Sequence, residues 1–417
     1  MNGPLLTRPP GSPPETLEAY RAAGGYEALR TALTSRTPAD VTAEVAGSGL
    51  RGRGGAGFPT GRKWELAAAS EGTPRYVVAN GGEHEPGSRK DRLLVFEYPH
   101  KVIEGIALCA YATGASEAWL YLIEDMTDAI DSARGAIDEA RAAGLIGPSI
   151  LGTSFALEIR VAAAPTTYVA GEETAALEVI EGRKAWPRKK PPYPGVSGLF
   201  GKPTTVNNIE TLAHVPGIVL RGGAWFRGLG IDGGTGTMLF TLDERVSRPG
   251  VYEMPLGSTY RRLIEELGGG TRSGRGIRAI LPALSSSFLP AAALDLPLTH
   301  ETVKDAGSGL GCGGVSFLEE GACVVCRVAE IAEFFKREQC GQCPPCRMET
   351  NTLAAVLGQV KAGAAGDYAA QIEKITAFAR GKGYCSLIEM AAAPVLSALR
   401  LFPDDFAAHA RTAACPD

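Results

Sequence analysis

The amino-acid sequence predicts an α/β protein that also carries a small α+β module and an all-helical C-terminal part. Short buried-strand patterns alternate with amphipathic helix patterns from residue 76 to residue 162, which is typical of a mostly parallel sheet with crossover helices. Short β-prone runs surround one helix pattern between residues 233 and 298. From residue 324 onward the patterns are helical.

Composition limits the function classes. The 417 residues suffice for two or three domains, and a net charge of −4 gives no reason to expect nucleic acid or an anionic membrane surface as partner. Nine cysteines, an odd number without an opening signal peptide, favour a reducing cytoplasm. No apolar run approaches the roughly 20 residues of a membrane span. We therefore expect a cytoplasmic protein that serves a membrane process, if any, as a peripheral subunit.

The individual elements follow from hydrophobic periodicity. The predicted strands are 76–80, 118–123, 156–162, 237–242 and 250–254. The predicted helices are 17–35 with a break at Gly24, 38–45, 100–112, 127–143, 174–181, one starting at 206, 259–267, 324–337 and those within 348–380. Residues 1–16 are rich in proline and glycine, which predicts a flexible arm.

A cysteine-rich stretch near the C-terminus carries the strongest chemical signal. Cys340, Cys343 and Cys346 form C-x-x-C-x-x-C, a spacing that lets three sulfurs face one iron–sulfur cubane. Cys385 is the candidate fourth ligand, because the helices between could fold back beside the triplet. Zinc and unliganded core thiols are the alternatives, although zinc modules usually pair two C-x-x-C units or add histidines.

A glycine-rich stretch over residues 48–64 predicts a phosphate-binding loop, because dense glycines let backbone N–H groups surround an anion. Gly52, Gly54 and Gly57 satisfy G-x-G-x-x-G, but no apolar strand precedes them, so an ordinary dinucleotide fingerprint is rejected. A glycine-rich surface loop is the alternative. Four cations in the stretch count against that alternative: Arg51, Arg53, Arg62 and Lys63.

Carboxylates follow the clearest strand pattern. Glu83 and Glu85 come after the strand predicted at 76–80, at the strand end where open α/β sheets bind ligands. Their oxygens could accept hydrogen bonds from ribose hydroxyls, and a solvated acidic turn is the alternative.

Two further pairs of polar residues stand at predicted helix starts. Glu172 and Glu173 stand at the first helix start, where the helix dipole favours carboxylates, and that effect alone is a sufficient explanation for them. Asn207 and Asn208, at the second, offer amides to ring carbonyls or phosphates. Between the two pairs, residues 184–194 combine cations, prolines and the aromatic Tyr193, which could stack on a base.

Taken in order, these motifs resemble the flavoprotein (51 kDa type) subunit of respiratory complex I and of NAD-linked hydrogenases and formate dehydrogenases. The resemblance runs from about residue 17 to residue 406 and includes the segments 52–63, 80–87, 171–174, 191–194 and 201–212 with the four cysteines. It implies an arm at 1–16, an FMN- and NAD-binding α/β domain at 17–230, a β-grasp-like SLBB domain at 231–312, and a helical [4Fe–4S] domain at 313–417.

The resemblance also implies residue roles. The residues that would hold the phosphate side of FMN are Gly52, Gly54, Gly55 and Lys63. By this resemblance, the flavin and nicotinamide are held by Asn80, Glu83 and Glu85, and Glu83 and Glu85 are the catalytic candidates. The Gly-Glu-Glu turn of the family corresponds to the cofactor-binding candidates Gly171, Glu172 and Glu173, and its paired asparagines correspond to Asn207 and Asn208. The adenine falls between Phe58 and Tyr193, and the cluster is held by Cys340, Cys343, Cys346 and Cys385.

The sequence departs from the family pattern at several positions. Gly82 stands where the family has an aspartate near the flavin, and Leu66 replaces a phenylalanine that faces the adenine. Cys323 and Cys326, with Cys312 nearby in sequence, form an unusual group. We consider an extra metal and buried free thiols as its two explanations.

The implied function is oxidation of NADH through FMN, with hydride transfer to flavin N5 and single electrons passed to the cluster. The implied acceptor is a ferredoxin or a thioredoxin-like [2Fe–2S] subunit, in isolation or within a larger redox complex. An electron-relay or assembly subunit with a degenerate flavin site is the alternative, given Gly82. The charge of Glu173 would repel the 2′-phosphate of NADPH if it faces the adenosine ribose, which favours NADH. The cations at residues 188–190 could instead attract that phosphate.

Overall fold

The computed structural model describes residues 3–364 and 366–412. Its first part is a four-stranded parallel sheet, ordered β3-β2-β1-β4, with helices on both faces. The strands are β1 (Tyr76–Gly81), β2 (Glu117–Ile123), β3 (Glu158–Ala164) and β4 (Thr204–Asn208). The helices are α1 (Leu17–Ala22), α2 (Glu27–Ser35), α3 (Pro38–Gly47), α4 (Thr60–Ala69), α5 (Lys90–Glu97), α6 (Pro99–Thr113), α7 (Thr127–Ala142), α8 (Glu173–Ile180), α9 (Ile209–Arg221) and α10 (Gly223–Arg227).

Alternation along the strands creates the two packed faces of this sheet. Val77 and Ala79 of β1 belong to the large core beneath α6 and α9, whereas Tyr76 and Val78 belong to a smaller core beneath α8. Successive side chains of a strand point to opposite faces, so a strand that is buried on both sides has a continuous apolar run. The predicted α/β class is confirmed here.

Strand β4 corrects the sequence interpretation of residues 206–208 as the start of a helix. Residues 204–208 pair in parallel with β1, and helix α9 begins only at Ile209. The β-branched residues Thr204, Thr205 and Val206 favour a strand. Asn208 then caps α9 by accepting a hydrogen bond from the N–H of Glu210 at 3.0 Å.

The second part is a mixed five-stranded sheet, ordered β6-β5-β9-β7-β8. Its strands are β5 (Thr237–Leu242), β6 (Gly250–Pro255), β7 (Ile277–Leu281), β8 (Leu289–Pro290) and β9 (Gly314–Glu319), accompanied by a π-helical segment (Arg262–Leu267) and α11 (His300–Asp305). Strand β9 lies beyond residue 312 and pairs with both β5 and β7. The domain limits drawn from the sequence stay predictions.

The third part is a bundle of five helices: α12 (Val324–Glu338), α13 (Pro344–Lys361), α14 (Tyr368–Ala379), α15 (Leu387–Leu401) and α16 (Pro403–Thr412). Its core also contains Val169 and Ala175 of the first part. The bundle is therefore packed directly against the segment that leads into α8. Within residues 3–364 and 366–412, no helix has both the length and the apolar character that crossing a bilayer requires.

The N-terminal residues are packed against the rest of the chain, in contrast to the flexible arm that composition predicts. Leu5 is 1% exposed, and its N–H donates to the buried carboxylate of Glu253 at 2.9 Å. The Lys101 ammonium donates to the Leu5 carbonyl at 2.8 Å. Burial of a single leucine is enough to offset part of the ordering entropy of a proline-rich stretch, whose prolines already restrict the unfolded chain.

Candidate functional site

Four cysteine thiols surround one pocket in the helical bundle. Cys340 and Cys343 lie in the loop between α12 and α13, Cys346 in the first turn of α13, and Cys385 just before α15. Gly341 makes the loop possible, because its φ of 78° lies in the left-handed region that favours glycine. The pocket holds about 310 Å³ of atom-free space, part of it open to solvent.

The pocket suits a metal cluster better than a single metal ion. Burial, and then the neighbouring thiols, raise the pKa of Cys346 to about 12. Burial, and then Glu172 and the thiols against an opposing backbone hydrogen bond, raise the pKa of Cys385 to about 12. Four thiolates there would repel one another unless bound metal balanced their charge. Within residues 3–364 and 366–412, these four thiols do not form a group close enough to hold a single metal ion. Thiols that line one pocket without meeting at a single point suit a cluster of several irons.

Strands β1 and β4 bring predicted residues to one edge of the parallel sheet. Asn80 and Asn208 are paired in register at the carboxyl ends of these strands. The strand order reverses between β1 and β4, and such a switch point is where open α/β sheets bind ligands. Asn207 instead points inward, where its Oδ1 accepts a hydrogen bond from Trp64 Nε1 at 2.9 Å.

The glycine-rich loop lies beside this edge, between α3 and α4. A Cβ added at Gly54 would lie 3.2 Å from Asn208 Cβ, so glycine permits the loop backbone to approach the strand end. At Gly52 and Gly55 the nearest atoms to such a Cβ are 3.6 and 3.9 Å away. These two distances are ordinary van der Waals contacts, so the added Cβ atoms would fit there but would lie against the neighbouring backbone.

Only one of the four cations in this loop faces the sheet edge. Lys63 donates to the Val206 carbonyl at 2.9 Å and lies 3.7 Å from Glu173. The other three have different partners; of these, Arg53 is buried and turned away from the loop surface, whereas the roles of the exposed Arg51 and Arg62 stay predictions. Arg51 pairs with Glu301, Arg62 pairs with Glu65, and the buried Arg53 lies 4.0 Å from Glu210.

Glu172 and Glu173 form a charged group with two lysines. Glu172 caps α8 by accepting hydrogen bonds from the N–H groups of Thr174 and Ala175, and it also pairs with Lys190 at 2.9 Å. Lys190 reaches Glu173 at 3.1 Å. Burial acts to raise the pKa of Glu173, but Lys63 and Lys190 outweigh it and hold that pKa below its ordinary value. Glu173 therefore stays ionised beside the glycine-rich loop.

Glu83 and Glu85 both accept hydrogen bonds from the protein itself. Glu83 receives the N–H groups of Lys90 and Asp91 at 2.8 and 3.1 Å, so it stabilises the N-terminus of α5. Glu85 receives the hydroxyl of Tyr168 at 2.7 Å and the N–H of Ser285 at 3.1 Å. The two carboxylates hold three segments of the chain together, and their roles toward a nucleotide stay predictions.

Two exposed aromatic residues lie on the solvent side of α4. Phe58 precedes the helix and is 45% exposed, and Tyr193 is 61% exposed in a loop whose Gly195 packs against Ala67 of α4. Leu66, on α4 itself, is 47% exposed. Rings that remain open to solvent in this way are available to stack on a planar base.

A short segment joins the sheet edge to the cysteine pocket. The Gly171 carbonyl accepts a hydrogen bond from Asn80 Nδ2 at 2.9 Å, whereas Val169, two residues earlier, lines the pocket of the four thiols. Glu172, which follows Gly171, lies close enough to both Cys340 and Cys385 to raise the pKa of each thiol. Burial raises these pKa values more, and hydrogen bonds from backbone N–H groups act in the opposite direction. The two candidate sites therefore share residues 168–173.

Comparison with known proteins assigns these two sites to one family. Residues 45–217 match the family model of the Nuo51 FMN-binding domain, and residues 326–409 match that of the NADH-ubiquinone oxidoreductase-F iron–sulfur binding region. Residues 244–281 match the SLBB domain. The second NADH-quinone oxidoreductase F subunit of Rhizobium meliloti is 42% identical over 403 residues, which is 96% of each chain. The chain belongs to the family of NADH-quinone oxidoreductase F subunits.

Other members and a solved structure extend the match. The F subunit of the Escherichia coli NADH-quinone oxidoreductase is 39% identical over 399 residues, which is 95% of this chain and 90% of that protein. The crystal structure of an NAD⁺-reducing [NiFe]-hydrogenase in the H₂-reduced state superposes with a TM-score of 0.85 at 31% identity, covering 98% of this chain and 67% of that chain. The resemblance, the fold class and the FMN and iron–sulfur cofactors predicted from the sequence are thereby confirmed.

The family pattern makes Gly82 informative. A Cβ added there would lie 3.0 Å from Asn80 Oδ1 and 3.2 Å from Gly171 Cα. A side chain at this position would have to displace both neighbours by a few tenths of an ångström. Glycine at position 82 therefore allows a closer contact between the loop after β1 and the segment at Gly171.

Sequence reasoning missed a buried charge cluster behind the sheet edge. Lys90 donates to Asp91 at 2.9 Å and to Asn208 Oδ1 at 3.1 Å, and its ammonium lies 3.0 Å from Glu210. Burial alone would lower the pKa of Lys90, but the two carboxylates outweigh it and keep that pKa above its ordinary value. The adjacent Lys-Asp pair in the sequence was the available signal, although nothing in it indicates burial.

The group suggested by Cys312, Cys323 and Cys326 does not form in the structure. Cys312 is half-buried near Glu85, and desolvation, followed by the charge of Glu85, raises its pKa to about 12. Cys323 and Cys326 lie instead beside His409 of α16. The sequence could not show this, because His409 is 83 residues from Cys326.

Proposed function

We propose that this chain oxidises NADH through FMN and passes the electrons singly to a [4Fe–4S] cluster held by Cys340, Cys343, Cys346 and Cys385. One observation carries the proposal: the segment that bonds the sheet edge at Gly171 also lines the cysteine pocket at Val169. Tyr168–Gly171 is a 3-10 helical turn, in which two residues rise only about 4 Å along the axis. Such a separation brings a flavin at the sheet edge and the cluster within reach of direct electron transfer.

When bound, FMN takes a hydride from a nicotinamide and gives up its electrons one at a time, which is how the cluster accepts them. The protein contributes position and charge. Gly52, Gly54 and Gly55 let the loop backbone approach the phosphate side, where Lys63 supplies a positive charge. Asn80 fixes the strand end to Gly171 by its hydrogen bond at 2.9 Å.

The remaining site residues hold this geometry or receive the nucleotide. Glu83 and Glu85 anchor the loop that borders the flavin and nicotinamide, and Asn207 and Asn208 fix the end of β4. Phe58 and Tyr193 offer exposed rings to the adenine. The group at Gly171, Glu172 and Glu173 sets the charge beside the ribose.

The charge at Glu173 supports NADH as the substrate in preference to NADPH. An ionised carboxylate beside the adenosine ribose would repel a 2′-phosphate. We expect Glu173→Gln to lower the ratio of kcat/KM for NADH to that for NADPH. Glu158→Gln, at the opposite end of the sheet, is the matched control. An unchanged ratio in Glu173→Gln would count against this role.

The acceptor that we propose is a ferredoxin or a thioredoxin-like [2Fe–2S] subunit, in a larger redox complex such as those of the relatives. Tyr384, next to Cys385, is 43% exposed, and Met348, two residues after Cys346, is 51% exposed. Exposed large apolar side chains beside a redox centre suit a transient protein contact. Tyr384→Ser should slow electron transfer to an added ferredoxin while NADH still bleaches the flavin at the normal rate. Equal slowing of both steps would indicate damage to the site itself.

Anaerobic titration of the purified protein with NADH tests the function as a whole. We expect loss of both the flavin absorbance and the broad cluster absorbance. Cys346→Ser should abolish the cluster signal and leave flavin reduction by NADH in place. If dithionite bleaches the cluster of the native protein but no flavin is present and NADH has no effect, the chain is an electron-relay subunit and the proposal fails.

A further inference from the structure

A second group of metal-binding side chains lies outside the cluster pocket. Cys323 and Cys326 stand at the start of α12, and His409 reaches them from α16. One ligand atom from each of the three residues falls within 4.8 Å of the other two. Cys326 Sγ lies 3.9 Å from His409 Nε2.

These separations approach those of a single tetrahedral zinc. Bonds of about 2.3 Å to sulfur and 2.0 Å to nitrogen at tetrahedral angles place sulfur about 3.5 Å from nitrogen and about 3.8 Å from a second sulfur. Small rotations of the cysteine side chains suffice to reach those values. The four cluster thiols, in contrast, do not gather this closely among the described residues.

The local backbone favours negative charge on these sulfurs. Cys323 is the residue that caps α12, and its Sγ accepts a hydrogen bond from the N–H of Cys326 at 3.3 Å. Thiolates, which are the metal-binding form, are stabilised at helix N-termini. His409 is 1% exposed, so a metal at its Nε2 would be shielded from bulk water on that side.

An ion pair already fixes the same helix next to the group. Arg278 of β7 donates to both carboxylate oxygens of Asp405 in α16 at 2.7 Å. Asp405 raises the pKa of Arg278 and burial opposes this, and Cys323 adds a smaller effect that also raises it. The ion pair and the thiol are therefore near neighbours. The group therefore lies where the mixed sheet, α12 and α16 meet.

We propose that Cys323, Cys326 and His409 bind one zinc ion, with water in the fourth position. Zinc has no redox chemistry of its own and would act as a cross-link between α12 and the C-terminal helix. Cys326 lies in the first turn of α12, whereas Cys340 lies beyond the end of that helix at Glu338. About twelve residues of helical rise, about 18 Å, therefore separate this site from the start of the cluster loop, and the two sites are distinct. The inference does not depend on the proposed oxidation of NADH.

Metal analysis of the purified holoprotein is the test. We expect about one zinc per chain in addition to the iron of the cluster, with a zinc-edge X-ray absorption spectrum that fits two sulfurs near 2.3 Å and a nitrogen near 2.0 Å. The spectrum at the zinc edge is unaffected by iron or flavin. Native protein without zinc, or a spectrum dominated by oxygen ligands, would overturn the proposal.

Variants then locate the metal. Cys326→Ser and His409→Gln should each lose most of the zinc while iron and flavin contents stay normal, and the buried Cys109→Ala serves as a cysteine control that keeps it. A chelator should also make α16 more sensitive to proteolysis in the native protein. Zinc retained in both variants would refute the assignment, as would a Cys323–Cys326 disulfide found by mass spectrometry in the native protein.

Discussion

Replacing Gly171 by alanine is the sharpest perturbation of the shared segment. The added Cβ would lie 2.6 Å from the Gly82 carbonyl oxygen, whereas ordinary contact begins at 3.4 Å, so the two backbones must separate by 0.8 Å (3.4 − 2.6). If that movement lengthened the Asn80 bond to Gly171 from 2.9 Å, the distance would become 3.7 Å and the bond would be lost. Overpacking costs about 1–3 kcal/mol and the lost hydrogen bond about 1 kcal/mol.

The consequence should appear in flavin binding and in electron transfer. If half of that free energy, about 1–2 kcal/mol, falls on the flavin-bound form, FMN affinity drops about 5- to 30-fold. We would measure FMN retained after dialysis and, in FMN-saturated protein, the rate of cluster bleaching after rapid mixing with NADH. Reduction by dithionite should be normal, because the four cysteines are untouched.

Gly135→Ala is the matched control for this replacement. Gly135 lies inside α7, where an added Cβ meets nothing within 4 Å, so alanine should stabilise the helix by about 0.5–1 kcal/mol. The control should keep flavin content and cluster reduction at native levels. If Gly171→Ala behaves like Gly135→Ala in both measurements, the close contact between the two backbones does not hold the site together.

Three further predictions address the charges and the exposed ring. Lys90→Met leaves two buried carboxylates without their partner and should cost about 3–5 kcal/mol in denaturant unfolding. The exposed Arg261→Ala should cost clearly less, because solvent screens its ion pair, and equal losses would refute the burial argument. Burial, with nearby arginines, lowers the pKa of His300 to about 4, so its contribution to stability is complete above pH 6.5 and is lost as the pH falls toward 4. His300→Gln should therefore reduce the difference in unfolding free energy between pH 7 and pH 4 by up to about 3 kcal/mol, and an unchanged difference would count against it. Tyr193→Ser should raise KM for NADH severalfold with little change in kcat, and a selective fall in kcat would contradict a stacking role.

The sequence was sufficient where a local pattern determines the structure. The C-x-x-C-x-x-C spacing predicted three thiols that the structure places around one pocket, and apolar runs identified strands β1 and β2. Strand β4 was missed because its polar end, Asn207 and Asn208, resembles a helix N-terminus, and pairing with β1 decided the outcome. Tertiary pairing overrides local preference most easily in strands.

Partners distant in sequence could not be predicted. Glycine density and charge made Arg53 look like a phosphate ligand, yet it is buried, with its pKa lowered to about 10 by burial. Its guanidinium donates to the Thr237 carbonyl at 2.9 Å, 184 residues away. A charge count over a loop does not show which side chains turn inward. The contact of Cys326 with His409 was hidden for the same reason.

Residues 168–173 show why the two redox sites are held at a fixed separation. The Tyr168 hydroxyl donates to Glu85, and the Tyr168 N–H donates to the Glu338 carboxylate. One end of the segment is therefore fixed both to the loop after β1 and to α12. At the other end Glu172 caps α8. A segment bonded at both ends cannot lengthen without breaking several hydrogen bonds, each worth about 1 kcal/mol net. Because electron-transfer rates depend steeply on distance, this bonding ties the stability of the fold to the rate at which the cluster is reduced.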